Sequence, residues 1–347
     1  MMAFRHDNHY VACLYLKRFS SDPGHVFTYR ILVAHPRVPE WKRDSIKGVA
    51  YHKHLYTRII SGVESDEIET WLDRDFEAPA EEPLRKATAG LQLAKTDWYN
   101  IIRFLAAQDV RTPARLTEVL SHSNEIMSAV LQECAEGAVQ KLEEARRSGK
   151  PIKESKFPDS EILPLRVTTE IKPGQEFGTL KAETIVGRSA WLFSIKHLLS
   201  HTANILQNHK WTILRPADGM SWFTSDNPVV RLNYYSDQKY NFDGGWGSPG
   251  TEILLPLDPQ HLLYTKIGQR PLDRGSVVSR AHTKLIRRVI AEHAHRYIFS
   301  SSEDVEIPRL RPRTVSADAV RHEKEQWQTW HEDQSKADRE LMGWGGS

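Results

Sequence analysis

The apolar positions of the chain change period part-way along. From about residue 65 to 147 they recur at helical spacing. Ser65-Asp66-Glu67 supplies a capping residue followed by acids, which predicts a helix start there. Thr96-Asp97 repeats that signal ahead of WYNIIRFLAAQ, where Trp98, Ile101, Ile102 and Leu105 share a face. Thr112-Pro113 reads as a cap with proline at the first helical position. The helix it opens is predicted to run through Leu120, and another to begin near Ser123 with Met127, Val130, Leu131, Cys134, Ala138 and Leu142 along one side. A further helix is expected over 189–208. Beyond it the period shortens: KWTILRP, SWFTS, NPVVRLNYY, TEILLPLD and HLLYTKI carry the alternation and β-branched content of strands. A helix over 277–294 and a last strand in RYIFSS follow. Near the N-terminus, HYVACLYLKRF suits a short helix, VFTYRILV a strand and AYHKHLYT a second extended segment.

This order predicts an α+β fold, with a helical N-terminal half packed on a mostly antiparallel sheet from the C-terminal half. One domain is expected over 1–315, helical at about 60–210 and sheet-rich at about 211–300. Residues 147–165, with three prolines and no period, read as a linker or exposed loop. Residues 316–347 read as a charged peripheral helix or flexible tail.

Composition narrows the class. At 347 residues, 39% hydrophobic and 27% charged, the chain holds enough apolar material for a sizeable core. A formal net charge of +2 does not by itself point to nucleic acid or membrane. Cys13 and Cys134 lie far apart without CxxC spacing, so a reducing compartment is expected. The opening MMAFRHDNHY lacks an apolar signal core, and no apolar run approaches the length of a membrane span. The expected location is the cytoplasm, with no membrane partner.

Candidate chemistry is scattered. No GxxxxGK[ST], GxGxxG or GxSxG occurs. His197 and His201 stand four apart, as two zinc ligands on a helix can, but Leu198 occupies the glutamate position of HExxH, and a polar helix stripe explains the pair better. His9-Tyr10 offers a base or metal ligand, with Lys17-Arg18 nearby to receive an anion; a capping or buried histidine is the plainer account. Gln108 and Arg111 fall at a joint between two helices, where arginine either faces a cleft or caps carbonyls. Thr224, Ser225, Asp226 and Asn227-Pro228 form a polar turn at a strand end, a site or an Asx turn. In the acidic stretch from Glu64 to Glu77 most charges belong to the surface, with Glu69 or Glu77 able to turn inward.

The order of these segments resembles a bacterial family known as domain of unknown function 4238. Its members open with His-Tyr-Val followed by Tyr-Leu-Arg-x-Phe, matched by His9-Tyr10-Val11 and Tyr15-Leu16-Lys17-Arg18-Phe19; Ala12 stands where a proline is usual. An acidic helical segment follows, matched by Ile68-Glu69 and Glu77. Phe-x-x-x-Gln-x-x-Arg-Thr-Pro is matched by Phe104, Gln108, Arg111, Thr112 and Pro113. Phe-x-Ser-Asp-x-Pro-Val is matched by Phe223, Ser225, Asp226, Pro228 and Val229, and Ile-x-x-Pro-Leu by Ile253, Pro256 and Leu257. The resemblance covers about residues 8–302. It implies no established activity, but it implies that the segments belong to one framework and meet in space.

Three functions compete. In the first, the protein cleaves phosphodiesters: His9, Glu77, Gln108, Arg111 and Asp226 are catalytic, with a divalent ion such as Mg²⁺, while Tyr10, Arg18, Ser225 and Asn227 bind. Lys17, Arg18, Lys42, Arg43 and Lys47, with Trp41 among them, would guide a nucleic acid. In the second, it is a ligand- or partner-binding module whose polar residues form a structural network. The third, a zinc hydrolase using His197 and His201, lacks a third ligand. Burial separates the first two: paired groups argue for scaffold, and unsatisfied groups on a cleft argue for chemistry.

Overall fold

The structure, a computed structural model, describes residues 4–20, 22–151, 165–171, 173–174 and 178–343. It opens with β1 (Asp7–His9) and a one-turn helix α1 (Cys13–Leu16), then β2 (His25–Arg30), β3 (Leu32–Val33), β4 (Trp41–Ser45), β5 (Tyr51–Lys53), β6 (Arg58–Ile60) and β7 (Val63–Ser65). Helices α2 (Glu67–Leu72), α3 (Glu81–Thr88), α4 (Lys95–Val110) and α5 (Pro113–Ser148) follow, then the hairpin β8 (Arg166–Glu170) and β9 (Thr179–Glu183), and α6 (Arg188–His197). The remainder runs through β10 (Thr212–Leu214), β11 (Thr224–Ser225), β12 (Val230–Ser236), β13 (Lys239–Asn241), β14 (Glu252–Asp258), β15 (His261–Lys266), α7 (Arg280–His293), β16 (Tyr297–Ser300), α8 (Ile307–Leu310), β17 (Thr314–Val315) and α9 (Ala317–Met342). No described helix is long and apolar enough to cross a membrane.

The α+β class holds, but a helical N-terminal half set against a C-terminal sheet does not describe the chain. One antiparallel sheet, β10-β15-β14-β12-β13, comes wholly from the later half. The other, β11-β16-β2-β4, takes two of its four strands from the first 45 residues. Tyr297–Ser300 of β16 pairs with Arg30–Phe27 of β2, so a terminal strand finds its partner across nearly the whole chain. The buried side chains of Val26, Thr28 and Tyr29 account for the affinity of β2 for this sheet.

Helix boundaries also moved. α5 is one helix of 36 residues, with no break at Ser121–Ser123. Serine inside a helix costs only a few tenths of a kcal/mol relative to alanine, about 0.5 at most, so capping residues without a chain reversal do not end one. The helix expected over 189–208 becomes α6, a π turn (Leu198–Thr202) and a 3-10 stretch (Ala203–Asn208). The linker expected at 147–165 overlaps the end of α5, and its residues 152–164 lie outside the described residues.

Two apolar clusters fill the interior. The larger joins Tyr15 and Phe19 to Phe76, Phe104, Trp191 and the inner face of β14 and β15. The second packs α7 (Val289, Ile290) against Tyr29, Trp222, Phe223 and Ile298. Fully burying one such aromatic side chain stabilises by about 2–3 kcal/mol. The apolar residues of the motif segments lie mostly in the larger cluster, with Phe223 in the second.

Candidate functional site

The joint between α4 and α5 binds the N-terminal segment through polar contacts. Gln108, wholly buried in the last turn of α4, donates from Nε2 to the Tyr10 carbonyl at 3.1 Å and accepts from the Ala12 amide at 2.9 Å. Its side chain replaces the strand partner that this stretch of backbone lacks. Arg111, 1% exposed, donates to Glu77 at 2.5 Å and to the His9 carbonyl, while its own carbonyl accepts from the Tyr56 hydroxyl at 2.6 Å. Glu77 is the last residue of a π turn (Asp73–Glu77) that continues α2. Desolvation is the largest single influence and opposes the guanidinium charge, but Glu77, Tyr56 and Glu69 together outweigh it and raise the arginine's pKa.

Thr112 continues the network. Its oxygen caps α5 by accepting from the Arg115 amide, and its hydroxyl donates to Asn227 at 3.1 Å. The Asn227 amide donates to His293, whose ring Nδ1 lies 3.1 Å from the Asn227 carbonyl. Burial lowers His293 to about 4, which keeps the ring neutral in this arrangement. Ser225 accepts from the Asn227 amide, closing the turn expected from the sequence. Tyr15 joins Thr224 at 2.7 Å and donates to the Pro256 carbonyl at 2.6 Å. Three of the family-like segments, those holding Tyr10, Arg111 and Asn227, therefore do converge, with Glu77 and Pro256 from the other two at their edge.

Several residues expected to bind a polyanion are otherwise engaged. Arg18 donates to the carbonyls of Leu257 and Leu84 and to Thr88. Lys42 pairs with Asp44, Arg43 with Asp22, and Trp41 packs on Tyr29. These partners fix β2, β4 and the end of α3.

Arg111's own Nε and atoms of two groups near it lack hydrogen-bond partners. Nε2 of His9 and Oε2 of Glu69 are buried and bond to nothing among the described residues. Burial lowers the pKa of His9, with Arg111 adding to the effect against a bond to the Lys47 backbone. Burial pushes the Glu69 carboxyl up to about 7, against the pull of Arg111.

A cleft of about 800 Å³ opens where the segments meet. Tyr10, Pro113 and Asp226, one residue from each of the three segments, line it, and His52, His295, Tyr297 and Trp327 complete its aromatic wall. Asp226 forms part of the floor: its carboxylate accepts from the His295 amide at 2.9 Å and the Arg296 amide at 2.7 Å. Burial lifts it to about 7 even against these bonds. The Tyr10 hydroxyl and the rings of His52 and His295 make no hydrogen bond among the described residues. Tyr10 and Trp327 sandwich His52, with centroids at 5.4 and 3.6 Å. Sequence reasoning missed His52, His295, Tyr297 and Trp327; their only signal was the density of rings in YHKH, HAHRY and WQTW.

The structure does not assemble a metal site from the expected residues. Arg111 engages Glu77, and two backbone amides engage Asp226. His197 and His201 are exposed and gain no third ligand among the described residues. His54, Glu64 and His331 do place donor atoms within 4.8 Å of one another. But the two imidazoles stack face to face at 3.8 Å and 18°, so their lone pairs lie in separate, nearly parallel planes that one ion cannot share. Arg188 also donates towards His331 Nδ1 at 2.9 Å. We read this trio as a packed polar contact.

No curated protein and no solved structure matches the chain. The model of the family described as "Protein of unknown function (DUF4238)" matches residues 7–304, a span that holds every converging segment and ends before α9. The chain, whose segments meet in the order the resemblance implied, belongs to the DUF4238 family.

Proposed function

We propose that the protein binds a small ligand in the cleft bordered by Tyr10, Pro113 and Asp226, and that the Gln108–Arg111–Asn227 network is the scaffold that shapes it. The observation that carries this reading is the contrast in satisfaction. The side chains of Gln108, Thr112 and Asn227 are spent on protein partners, whereas the cleft presents a phenol and two imidazoles without a hydrogen bond among the described residues, beside a carboxyl that burial lifts to about 7. Ring-lined walls with Lys53 and Lys324 at the margin suit a planar ring carrying an anionic group, a mononucleotide being the probe class. Calorimetric titration of the four nucleoside monophosphates into the full chain tests it. Saturable binding weakened by Tyr10→Phe supports the reading; no heat with any of them removes the ligand class.

A second reading, phosphodiester cleavage, is favoured by the unpartnered Nε2 of His9 and Oε2 of Glu69 beside Arg111. A neutral imidazole and a carboxyl lifted to about 7 are a base and an acid poised for proton transfer. Incubation with single- and double-stranded DNA and RNA, with Mg²⁺ or Mn²⁺, decides it. Cleavage abolished by His9→Ala and Glu69→Gln supports it; no cleavage, or cleavage those variants leave unchanged, sinks it.

A further inference from the structure

The C-terminal helix α9 lies across the motif-lined cleft, and two of its contacts with the body there are ring stacks on imidazoles, beside the Glu323–Arg296 ion pair and the packing of Trp330 on the core. Trp327 lies flat on His52 at 3.6 Å and 13°. One turn on, His331 stacks on His54 at 3.8 Å and bonds Glu64 at 2.9 Å. Val320, Glu323, Lys324, Gln328 and Glu332 of the same helix also border the cleft. Further along, Ser335 and Asp338 hold Arg188 and Ser189, a contact away from the cleft mouth. The helix is thus fixed near residues 334–341 and, just before its first turn, by the pairing of β17 with β3; between these anchors the Glu323–Arg296 ion pair and the histidine stacks hold it over the opening. The indole of Trp327 occupies the face of His52 that a ligand ring would use.

We propose that the 317–332 part of α9 is a lid, latched over the cleft by the His52–Trp327 and His54–His331 stacks and released when those imidazoles take up protons. The regulation rests on the ligand-binding reading of the cleft given above; the latch does not.

The charges facing the latch set its direction. His54 and His331 face His6 from the segment before β1, Arg188 from α6, and Arg339 and Asp338 from α9, with Glu64 from β7 as the main counter-charge. His52 faces His295, behind which lie Arg296 and Arg311. Burial and these cations depress all four rings, His52 and His295 to about 4. Closure therefore gains from neutral rings above the ordinary histidine value of 6.5 and loses that gain as the pH falls towards 4. At about pH 5, a ring held near 4 rather than 6.5 disfavours closure by about thirtyfold if opening restores it fully to water. Partial burial after opening reduces this, so about tenfold is expected for the lid.

Hydrogen exchange on the full chain, without ligand, reads the latch directly. After correction for intrinsic rates, amides of 317–332 should exchange about tenfold faster at about pH 5 than at about pH 7.5, with 334–341 and α7 changing much less. The triple variant His52→Phe/His54→Phe/His331→Phe keeps flat rings but cannot protonate there, and should lose at least half of the acid effect on a logarithmic scale. Trp327→Ala should open the lid at neutral pH. Exchange that stays level with pH, or rises equally across α7 and the rest of the chain, overturns the proposal, as does a triple variant with the full acid response. A lid that opens while no mononucleotide binds leaves the latch standing and removes the ligand reading alone.

Discussion

The seam around Arg111 and the cleft around Asp226 are built from the same three segments, yet their polar groups end differently. In the seam, Gln108 uses its amide in both directions, Arg111 joins Glu77 to the His9 carbonyl, and Asn227 ties Thr112 to His293. In the cleft, the Tyr10 hydroxyl and the ring nitrogens of His52 and His295 make no hydrogen bond among the described residues. Tyr10 shows the contrast within one residue: its carbonyl belongs to the seam and its hydroxyl to the cleft. Burial of an arginine or glutamine is therefore weak evidence of chemistry until its donors are counted.

The comparison breaks most sharply at Arg111. Arg111→Met leaves the Glu77 carboxylate and the His9 carbonyl without their donor, and should cost about 3–5 kcal/mol in chemical denaturation. A loss under about 1 kcal/mol would remove the seam's structural role. Gln108→Leu deletes two buried hydrogen bonds and leaves a backbone amide and carbonyl unmatched, so about 2–3 kcal/mol is expected by the same measurement. On the cleft side, Tyr10→Phe removes a hydroxyl with no protein partner and should shift stability by under about 0.5 kcal/mol while weakening ligand binding.

The pH dependence of stability sharpens the comparison further. Asp226 and Glu69, lifted to about 7 in the fold from ordinary values of 3.8 and 4.5, contribute stability that is fully present below those ordinary values and lost as the pH rises through 7. His52, His293 and His295, lowered to about 4, contribute in the opposite sense, with stability present above 6.5 and lost as the pH falls through 4. Glu69→Gln should therefore flatten the loss between pH 4.5 and 7, read from denaturation midpoints at several pH values, and leave the acid limb in place. An unchanged alkaline slope would show that Glu69 is not held protonated.

Much of this was legible in the sequence, and what was missed has physical causes. Thr112-Pro113 named a helix start correctly, because a cap and a proline act within one turn. Ser123 suggested a boundary that does not exist, because a cap residue signals only if the chain leaves the helix. The strand VFTYR was visible, but its partner 270 residues away was not, since alternation marks a face and not a neighbour. The family-like order told that His9, Arg111 and Asp226 lie in one framework. It did not tell that Arg111 turns to Glu77 or that Asp226 turns to two backbone amides. The cleft wall went unseen because His52, His295 and Trp327 come from three distant segments, and α9 read as surface by its charge.

The most direct test of the account is a paired calorimetric titration of a nucleoside monophosphate into the native chain and into Tyr10→Phe. The account predicts one saturable site in the native chain and about tenfold weaker binding in the variant, at unchanged stability. Equal binding by the two chains, or no binding by the native chain at any accessible concentration, would contradict it.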